Sequence, residues 1–164
     1  MVRVSCARLG SVELVPFNTA VKAGVGAIMT FHGSIPALDS SGVPGTLSHN
    51  VLTSLLRDEM HFQGLVISDA MDMRAVLDTY GAVNAAQMAV GAGADVLLQP
   101  QDVAQTIDAA VAGVTTGRYT EVRPGASGGP ILATKEEAGL APSPALALDR
   151  SPRTVGPPPG APAA

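Results

Sequence analysis

The chain has 164 residues, a formal net charge of −4 and 46% hydrophobic residues, which together indicate about one globular domain with a sizeable core. Only 3% of the residues are aromatic and none is Trp, so neither a stacking platform nor an electrostatic footprint for nucleic acid is expected. Cys6 is the single cysteine, and the histidines are scattered without zinc-ligand spacing. We therefore expect no internal disulfide, no metal and no cofactor.

No apolar run approaches the roughly 18 residues of a membrane span, and residues 1–10 lack the long apolar stretch of a signal peptide. A cytoplasmic location follows only if Met1 is the genuine start. The compartment and the oligomeric state are left open by the sequence.

The first half of the chain predicts a helix, a strand and a long loop. The helix is expected over Leu14 to Ala23, with Gly24 as its stop. Val25 to Phe31 is apolar and predicts a buried strand that ends at His32. The thirteen residues from Gly33 to Gly45 then predict a loop, and a loop of that length inside a compact domain favours a functional role.

The clearest helix is predicted to begin at Ser48, a good N-cap, and to end before Gln63-Gly64. A short apolar strand, Leu65 to Ile67, follows and is interrupted by Ser68-Asp69. In α/β folds the carboxyl ends of parallel strands carry the chemistry, so Asp69 is a candidate catalytic carboxylate. Position alone also allows the alternative that Ser68 or Asp69 merely caps the next helix.

The second half continues the alternation of helix and strand. Helices are expected over Met71 to Leu77 and Val83 to Val90, with a break at Tyr80-Gly81, and Asp95 to Leu98 predicts a third strand. Asp102 resembles the start of a capping box. The helix after it is expected to bury an apolar face made of Val103, Ile107, Ala110, Val111 and Val114.

Glycine and proline dominate the chain beyond Gly117. Pro124-Gly125 and Gly128-Gly129-Pro130 are expected to break the last helix, because each glycine costs about 1 kcal/mol and an interior proline about 3 kcal/mol. Only a short piece, Ile131 to Ala138, is predicted to stay helical. Residues 141–164 are rich in Pro, Ala and Gly and are predicted to be a disordered tail.

Alternating strands and helices imply parallel strands with right-handed crossovers, hence an α/β fold. No G-x-G-x-x-G follows any strand, so a dinucleotide site is disfavoured. Gly91 to Asp95 (GAGAD) leads into a strand, which indicates close packing of helix on strand. The alternation by itself does not separate a barrel from an open sheet.

Several motifs, in order and spacing, resemble glycoside hydrolase family 3 on its β-N-acetylhexosaminidase side. They are AGVGAIMTFH, PGTLS, LLRDEMHFQGLVISDAMDM and AGADVLLQP. The resemblance implies a parallel-stranded (β/α)₈ TIM-type barrel. Of that barrel, residues 1–140 would form a partial catalytic domain of about three strand-helix units, followed by the tail 141–164.

The resemblance also implies that Asp69 is the nucleophile of a retaining glycosidase and that the partner is a carbohydrate substrate. Retention requires an ionised carboxylate and a separate acid/base. In the hexosaminidase branch a His in an Asp-x-His loop supplies the acid/base, and a Lys-His motif contacts the sugar. Both patterns would lie upstream of the matched region, and neither occurs between Met1 and Leu14.

Two further residues are candidates for substrate binding. His32 lies at a strand end that faces the same pocket as Asp69, with a hydrogen-bonded structural histidine as the alternative. Met73 follows Asp69 by four residues and could form either a pocket wall or part of the core. Asp39, in the long loop, could line the site, although loop aspartates usually form turns.

Two hypotheses about function follow. The first is a truncated glycosidase domain that lacks its acid/base, from a parent that hydrolyses terminal β-linked N-acetylhexosamine of oligosaccharides or peptidoglycan fragments. The second is an inactive carbohydrate-binding or assembly remnant. A β-glucosidase-type member of the same family is the remaining alternative.

Overall fold

The computed structural model describes residues 4–140, and the predicted disordered tail 141–164 lies outside them. Helices alternate with two short strands along the described chain. In chain order the elements are α1 (Cys6–Arg8), a π-helical turn (Leu9–Glu13), α2 (Val15–Lys22), β1 (Ala27–Met29), a 3₁₀ turn (Gly45–Leu47), a π-helix (Asn50–Glu59), β2 (Leu65–Ile67), α3 (Arg74–Tyr80), α4 (Ala82–Ala92), α5 (Val103–Thr115) and α6 (Val122–Glu137).

The sheet is parallel, as the alternation predicted. Ile28 of β1 pairs with Val66 of β2, and a single parallel bridge joins Ile67 to Val96. The predicted third strand, Asp95 to Leu98, is thus reduced to one bridge. The ladder stops there because the Leu98 N–H donates to the hydroxyl of Ser68 at 2.9 Å and not to a backbone carbonyl.

The core lies between the sheet and the helices that follow each strand. Val66, at the centre of β2, and Val76 of α3 are both completely buried. Phe62, the leucines of the π-helix and the alanines of α4 belong to the same buried cluster. The main buried cluster is Leu47, Leu52, Leu56, Phe62, Val66, Met71, Val76, Ala85, Ala89, Ala92 and Ala94.

Two glycines have positive φ angles at the ends of helices. Gly81 has φ 68° and separates α3 from α4, a conformation that side chains with a Cβ rarely adopt. Gly93 has φ 126°, and a Cβ built there would lie 2.8 Å from Thr53 Oγ1 and 3.3 Å from Leu52 Cβ. The close contact at Gly93 is therefore between α4 and the π-helix, whereas the GAGAD segment was predicted to pack a helix on a strand.

The predicted buried face of α5 is wrong. Val103, Ile107 and Val111 are 62%, 58% and 58% exposed. The helix packs instead through its small residues, since Ala109 and Gly113 are buried. A Cβ at Gly113 would collide with the Tyr119 ring, which is why the smallest residues and not the valines face inward here.

The predicted break in the last helix is also wrong, because α6 is continuous from Val122 to Glu137 with Pro130 inside it. Pro124 lies in the first turn, where its missing N–H has no helical partner to lose. Arg123 and Ser127, one turn apart, both bond to Asp95, and this anchorage offsets the poor propensities of glycine and Pro130.

Asp95 lies at the amino end of the third chain segment of the sheet, and its side chain is only 2% exposed. Its Oδ2 accepts from Arg57 Nη2 at 2.6 Å and from the Val66 N–H at 2.9 Å. Its Oδ1 accepts from Arg123 Nη2 at 3.3 Å and from Ser127 Oγ at 2.6 Å. This carboxylate joins the π-helix, β2 and α6 at the end of the sheet opposite to Asp69. Within residues 4–140, no helix is long and apolar enough to cross a membrane.

Candidate active site

Asp69 lies two residues beyond the carboxyl end of β2, and side chains hold both of its backbone polar groups. Its N–H donates to Thr30 Oγ1 at 3.1 Å, and its carbonyl accepts from Ser68 Oγ at 2.7 Å. Its own Oδ1 accepts from the N–H of Ala70 at 2.8 Å. Within residues 4–140 no donor reaches Oδ2, so the partly exposed carboxylate has one oxygen engaged and one available.

Ser68 is completely buried and connects Asp69 with the next segment of the sheet. Its hydroxyl donates to the Asp69 carbonyl and accepts from the Leu98 N–H at 2.9 Å. The Met71 N–H donates to the Leu98 carbonyl at 2.8 Å. The chain is thus fixed on both sides of Asp69 by contacts with Leu98.

His32 lies at the carboxyl end of β1 and reaches across to the residue after Asp69. Its Nε2 is 2.8 Å from the carbonyl oxygen of Ala70. A carbonyl only accepts, so Nε2 is the donor in this contact. Nδ1 is buried and has no partner among the described residues. His32 and Asp69 thus both bond to backbone groups of Ala70.

Thr30 and Thr46 link the Asp69 peptide to the loop after β1. Their Oγ1 atoms are 2.8 Å apart, and Thr46 is completely buried. Neither threonine was singled out from the sequence. Thr30 lies in the AGVGAIMTFH motif and Thr46 in the PGTLS motif, and the spacing of the two motifs does not indicate that the threonines are in contact.

Asp39 does not line the candidate site but fixes the long loop from within. It is 9% exposed and accepts from the N–H and hydroxyl of Ser41 and from the hydroxyl of Ser48. Hydrogen bonds from the Ser41 hydroxyl, which has the larger effect, and from the Ser48 hydroxyl hold the pKa of the Asp39 carboxyl below its usual value. Burial acts in the opposite direction and raises the pKa. The predicted loop is therefore an ordered connection, tied to the start of the π-helix.

Met73 is 43% exposed and belongs to a turn at the carboxyl end of the sheet. Its N–H donates to the Ala70 carbonyl at 3.2 Å, and α3 begins only at Arg74. The predicted helical start at Met71 is thus three residues too early. The exposure of Met73 argues against a position in the core and favours the alternative, a pocket wall.

The described residues contain no group of three or more His, Cys, Asp or Glu side chains that could hold a metal ion. The polar groups around Asp69 are hydroxyls, one imidazole and backbone amides. These groups orient a carboxylate, and the free Oδ2 is suited to attack an electrophilic carbon.

The fold and this site define an α/β domain whose candidate catalytic group lies at the carboxyl end of a parallel strand. The family model described as "Glycosyl hydrolase family 3 N terminal domain" matches residues 1–127. The chain therefore belongs to glycosyl hydrolase family 3, as the motifs predicted.

Curated relatives carry hexosaminidase names. "Beta-hexosaminidase A" of Pseudoalteromonas piscicida is 36% identical over 104 residues, which cover 57% of this chain and 17% of the relative. "Beta-hexosaminidase" of Chromobacterium violaceum is 39% identical over 93 residues, which cover 55% of this chain and 26% of the relative. The chain thus spans about a quarter or less of these relatives.

Solved structures agree on the fold. The glycoside hydrolase family 3 β-N-acetylglucosaminidase of Paenibacillus sp. str. FPU-7 superposes with a TM-score of 0.81 at 38% identity, covering 87% of this chain and 28% of that one. The β-N-acetylglucosaminidase of Thermotoga maritima gives a TM-score of 0.74 at 25% identity, covering 86% of this chain and 31% of that one. These neighbours support a barrel-like α/β fold, of which residues 4–140 show a small parallel sheet wrapped by helices.

Proposed function

We propose that this chain forms the carboxyl-terminal part of a (β/α)₈ catalytic barrel in a retaining glycosidase, with Asp69 as the nucleophile. The proposed substrates are terminal β-linked N-acetylhexosamine residues of oligosaccharides or peptidoglycan fragments. The observation that carries the proposal is the oriented Asp69 carboxylate, with Oδ1 bonded to Ala70 N–H and Oδ2 available at the carboxyl end of β2. Family membership and the names of the relatives support the sugar.

In the proposed reaction an oxygen of Asp69 attacks the anomeric carbon while the bond to the leaving oxygen breaks. The leaving oxygen takes a proton from a general acid, and a glycosyl ester remains on Asp69. Water, deprotonated by the same group, then attacks the anomeric carbon and releases the carboxylate and the sugar. Two inversions give overall retention.

The general acid/base is proposed to come from outside residues 1–164. Asp-x-His and Lys-His patterns are both missing from the sequence. Asp39 is engaged by Ser48, and His32 bonds to Ala70 through Nε2 while its other nitrogen, Nδ1, is buried, so neither side chain presents a group to a leaving oxygen.

The partial-barrel part of the proposal is supported by surfaces that a complete barrel would cover. Within residues 4–140, β1 pairs with β2 on one edge and has no strand on the other. Beside β1 lies an apolar pocket of about 270 Å³ lined by Phe17, Ile28 and Phe31 among others. Val103, Ile107 and Val111, all exposed on α5, form a second uncovered apolar surface.

In the proposed site Met73 forms part of the wall against the sugar, and His32 contributes through the loop that carries Asp69. The β-glucosidase alternative has one specific observation in its favour. "Beta-N-acetylglucosaminidase/beta-glucosidase" of Cellulomonas fimi is 30% identical over 135 residues, which cover 77% of this chain and 24% of the relative. Comparing 4-nitrophenyl N-acetyl-β-glucosaminide with 4-nitrophenyl β-glucoside separates the two sugars.

The nucleophile is tested by trapping. The protein, expressed from its complete reading frame, is incubated with a 2-deoxy-2-fluoro or 5-fluoro glycoside, and the labelled peptide is identified by mass spectrometry. We expect the label on Asp69 and no label in Asp69→Asn. Label on another carboxylate would overturn the assignment. No label with either fluorinated glycoside would favour a non-catalytic remnant.

A further inference from the structure

We propose that Thr30 is a positioning residue for the nucleophile, through a side-chain hydrogen bond to the amide of Asp69. This inference rests on the proposed function for its catalytic meaning and on the geometry for the contact itself. Thr30 follows the carboxyl end of β1, and its own N–H donates to the Ile67 carbonyl at 2.8 Å as the last rung between the strands. Beyond that hydrogen bond the Asp69 N–H donates to the Thr30 hydroxyl, where a continued ladder would supply a backbone carbonyl.

The orientation of the carboxylate depends on this contact. The Asp69 N–H donates to Thr30 Oγ1, which fixes the backbone of Asp69. The Ala70 N–H donates to Oδ1, which fixes the end of the Asp69 side chain. With the amide and Oδ1 both held, rotation of the carboxylate is restricted and Oδ2 is presented in one direction. The geometry points to Oδ2 as the attacking atom.

The Thr30 hydroxyl is itself held in place. Thr46 Oγ1 lies 2.8 Å away, is completely buried, and pairs with no other described side chain. Thr46 in turn lies in the 3₁₀ turn just before Ser48, which Asp39 binds. Asp39 thus holds the turn that carries Thr46, and hydrogen bonds run from Thr46 through Thr30 to the amide of Asp69.

The decisive comparison is between Thr30→Val and Thr30→Ser. Valine keeps the branched shape and loses the hydroxyl, whereas serine keeps the hydroxyl. Thr53→Val is the matched control, because Thr53 is also half-buried and donates at 2.8 Å to the Ala92 carbonyl on the far side of the π-helix. A general loss of stability would affect both valine variants alike.

The first measurement is amide hydrogen exchange by NMR on the 164-residue chain. In Thr30→Val the Asp69 amide should exchange about 5- to 10-fold faster, as expected for the loss of one hydrogen bond. The Val66 and Ile67 amides should be unchanged, and Thr30→Ser should restore the protection. An Asp69 exchange rate that is the same in wild type and Thr30→Val would overturn the proposal.

The second measurement is hydrolysis of 4-nitrophenyl N-acetyl-β-glucosaminide by the protein expressed from its complete reading frame. Thr30→Val should lower kcat about 10- to 100-fold with little change in KM, since a misplaced reacting group costs rate more than binding. Thr30→Ser and Thr53→Val should stay close to wild type. Equal kcat in the two valine variants would overturn the positioning role. If no form hydrolyses the substrate, the proposed function fails, and the exchange measurement alone decides the contact.

Discussion

Arg57 and Asp95 form an ion pair of 2.6 Å at the amino end of the sheet, where the Asp95 side chain is only 2% exposed. Arg57 also donates from Nη1 to the carbonyls of Phe62 and Gly64, and its guanidinium lies 5.2 Å from the Phe62 ring centroid. The ends of parallel strands opposite to the catalytic face usually serve stability. This network therefore supports the fold and lies away from the chemistry.

Asp95→Asn should lower the free energy of unfolding by about 3–5 kcal/mol, because it leaves the guanidinium groups of Arg57 and Arg123 largely buried without their counter-charge. Urea unfolding followed by circular dichroism measures the change. Arg74→Ala is the control, since its pair with Asp78 is exposed and such pairs contribute at most about 1 kcal/mol. Equal effects of the two substitutions would contradict the structural role of Asp95.

Asp39 should make stability depend on pH in the acid range. Its pKa is lowered in the folded protein by the hydroxyls of Ser41 and Ser48, so its stabilisation is complete above the unfolded pKa of about 4. The stabilisation is lost as the pH falls through the lower folded value. The difference between wild type and Asp39→Asn should thus be largest at pH 5–7 and shrink below pH 4.

Urea titrations at a series of pH values test this dependence. Hydrogen bonds to a charged group are worth about 1.5–3 kcal/mol, which sets the expected difference near neutral pH. Asp102→Asn is a suitable control, because Asp102 is an exposed N-cap with a bond to the Gln105 N–H and Asn caps about equally well. A difference between wild type and Asp39→Asn that stays constant from pH 3 to 7 would exclude the Asp39 carboxyl as its source.

The parts of the fold that were predictable from sequence are those set by local pattern. β2 occupies the predicted residues Leu65 to Ile67, and Asp69 does follow it at the carboxyl end of the sheet. Asp102 does cap α5, with its side chain accepting from the Gln105 N–H. A short apolar run and a capping pattern each determine their structure within a few residues, so no knowledge of the rest of the chain was needed.

The wrong predictions concern contacts that are distant in sequence. Helix α6 survives its glycines and Pro130 because Arg123 and Ser127 reach Asp95, which lies about thirty residues earlier. The valines of α5 follow a helical period, but the period does not say which face meets α4. The Thr30–Thr46 contact also joins residues that no local pattern relates. Helix propensity and hydrophobic periodicity describe only neighbouring residues, so they do not predict contacts between residues that are far apart in the sequence.

Gly93 and Gly128 should respond in opposite directions to alanine. A Cβ at Gly93 would press on Thr53 and Leu52 at a φ of 126°, so Gly93→Ala should destabilise the protein by about 1–3 kcal/mol. Nothing lies within 4 Å of a Cβ at Gly128, in the interior of α6. Gly128→Ala should stabilise by up to about 1 kcal/mol. Melting temperatures test both, and destabilisation by Gly128→Ala would argue against a continuous α6.

Asp69→Asn should leave the fold intact and remove any turnover. The amide oxygen of Asn can still accept from the Ala70 N–H, and no ion pair at Asp69 is lost among residues 4–140. The unfolding free energy should thus stay within about 0.5 kcal/mol of wild type, as for substitutions away from buried networks. A large loss of stability would indicate that the Asp69 charge is structural, although not as a helix cap, because the N-cap of α3 is Met73 and neither Ser68 nor Asp69 caps that helix.

The 164-residue chain by itself should not turn over a natural glycoside. Loss of general acid-base help typically lowers the rate by a factor of about 10² to 10⁴, and loss of the groups that position the sugar lowers it further.

Aryl glycosides with very acidic phenols separate the two causes, because they need little protonation of the leaving group. If the pocket is formed and only the acid is missing, such a substrate should release a burst of phenol and stall as an ester on Asp69. We expect no burst. Within residues 4–140 one edge of β1 has no neighbouring strand, and Met29 at the end of β1 is 56% exposed, so no protein surface closes that side of the site. Hydrolysis of an unactivated N-acetylglucosaminide at about 1 s⁻¹, an ordinary enzyme rate, would overturn this expectation. Because the unbonded nitrogen of His32 is buried and Asp39 is engaged by Ser48, that result would leave His49 and Asp72 as the candidates for the acid/base.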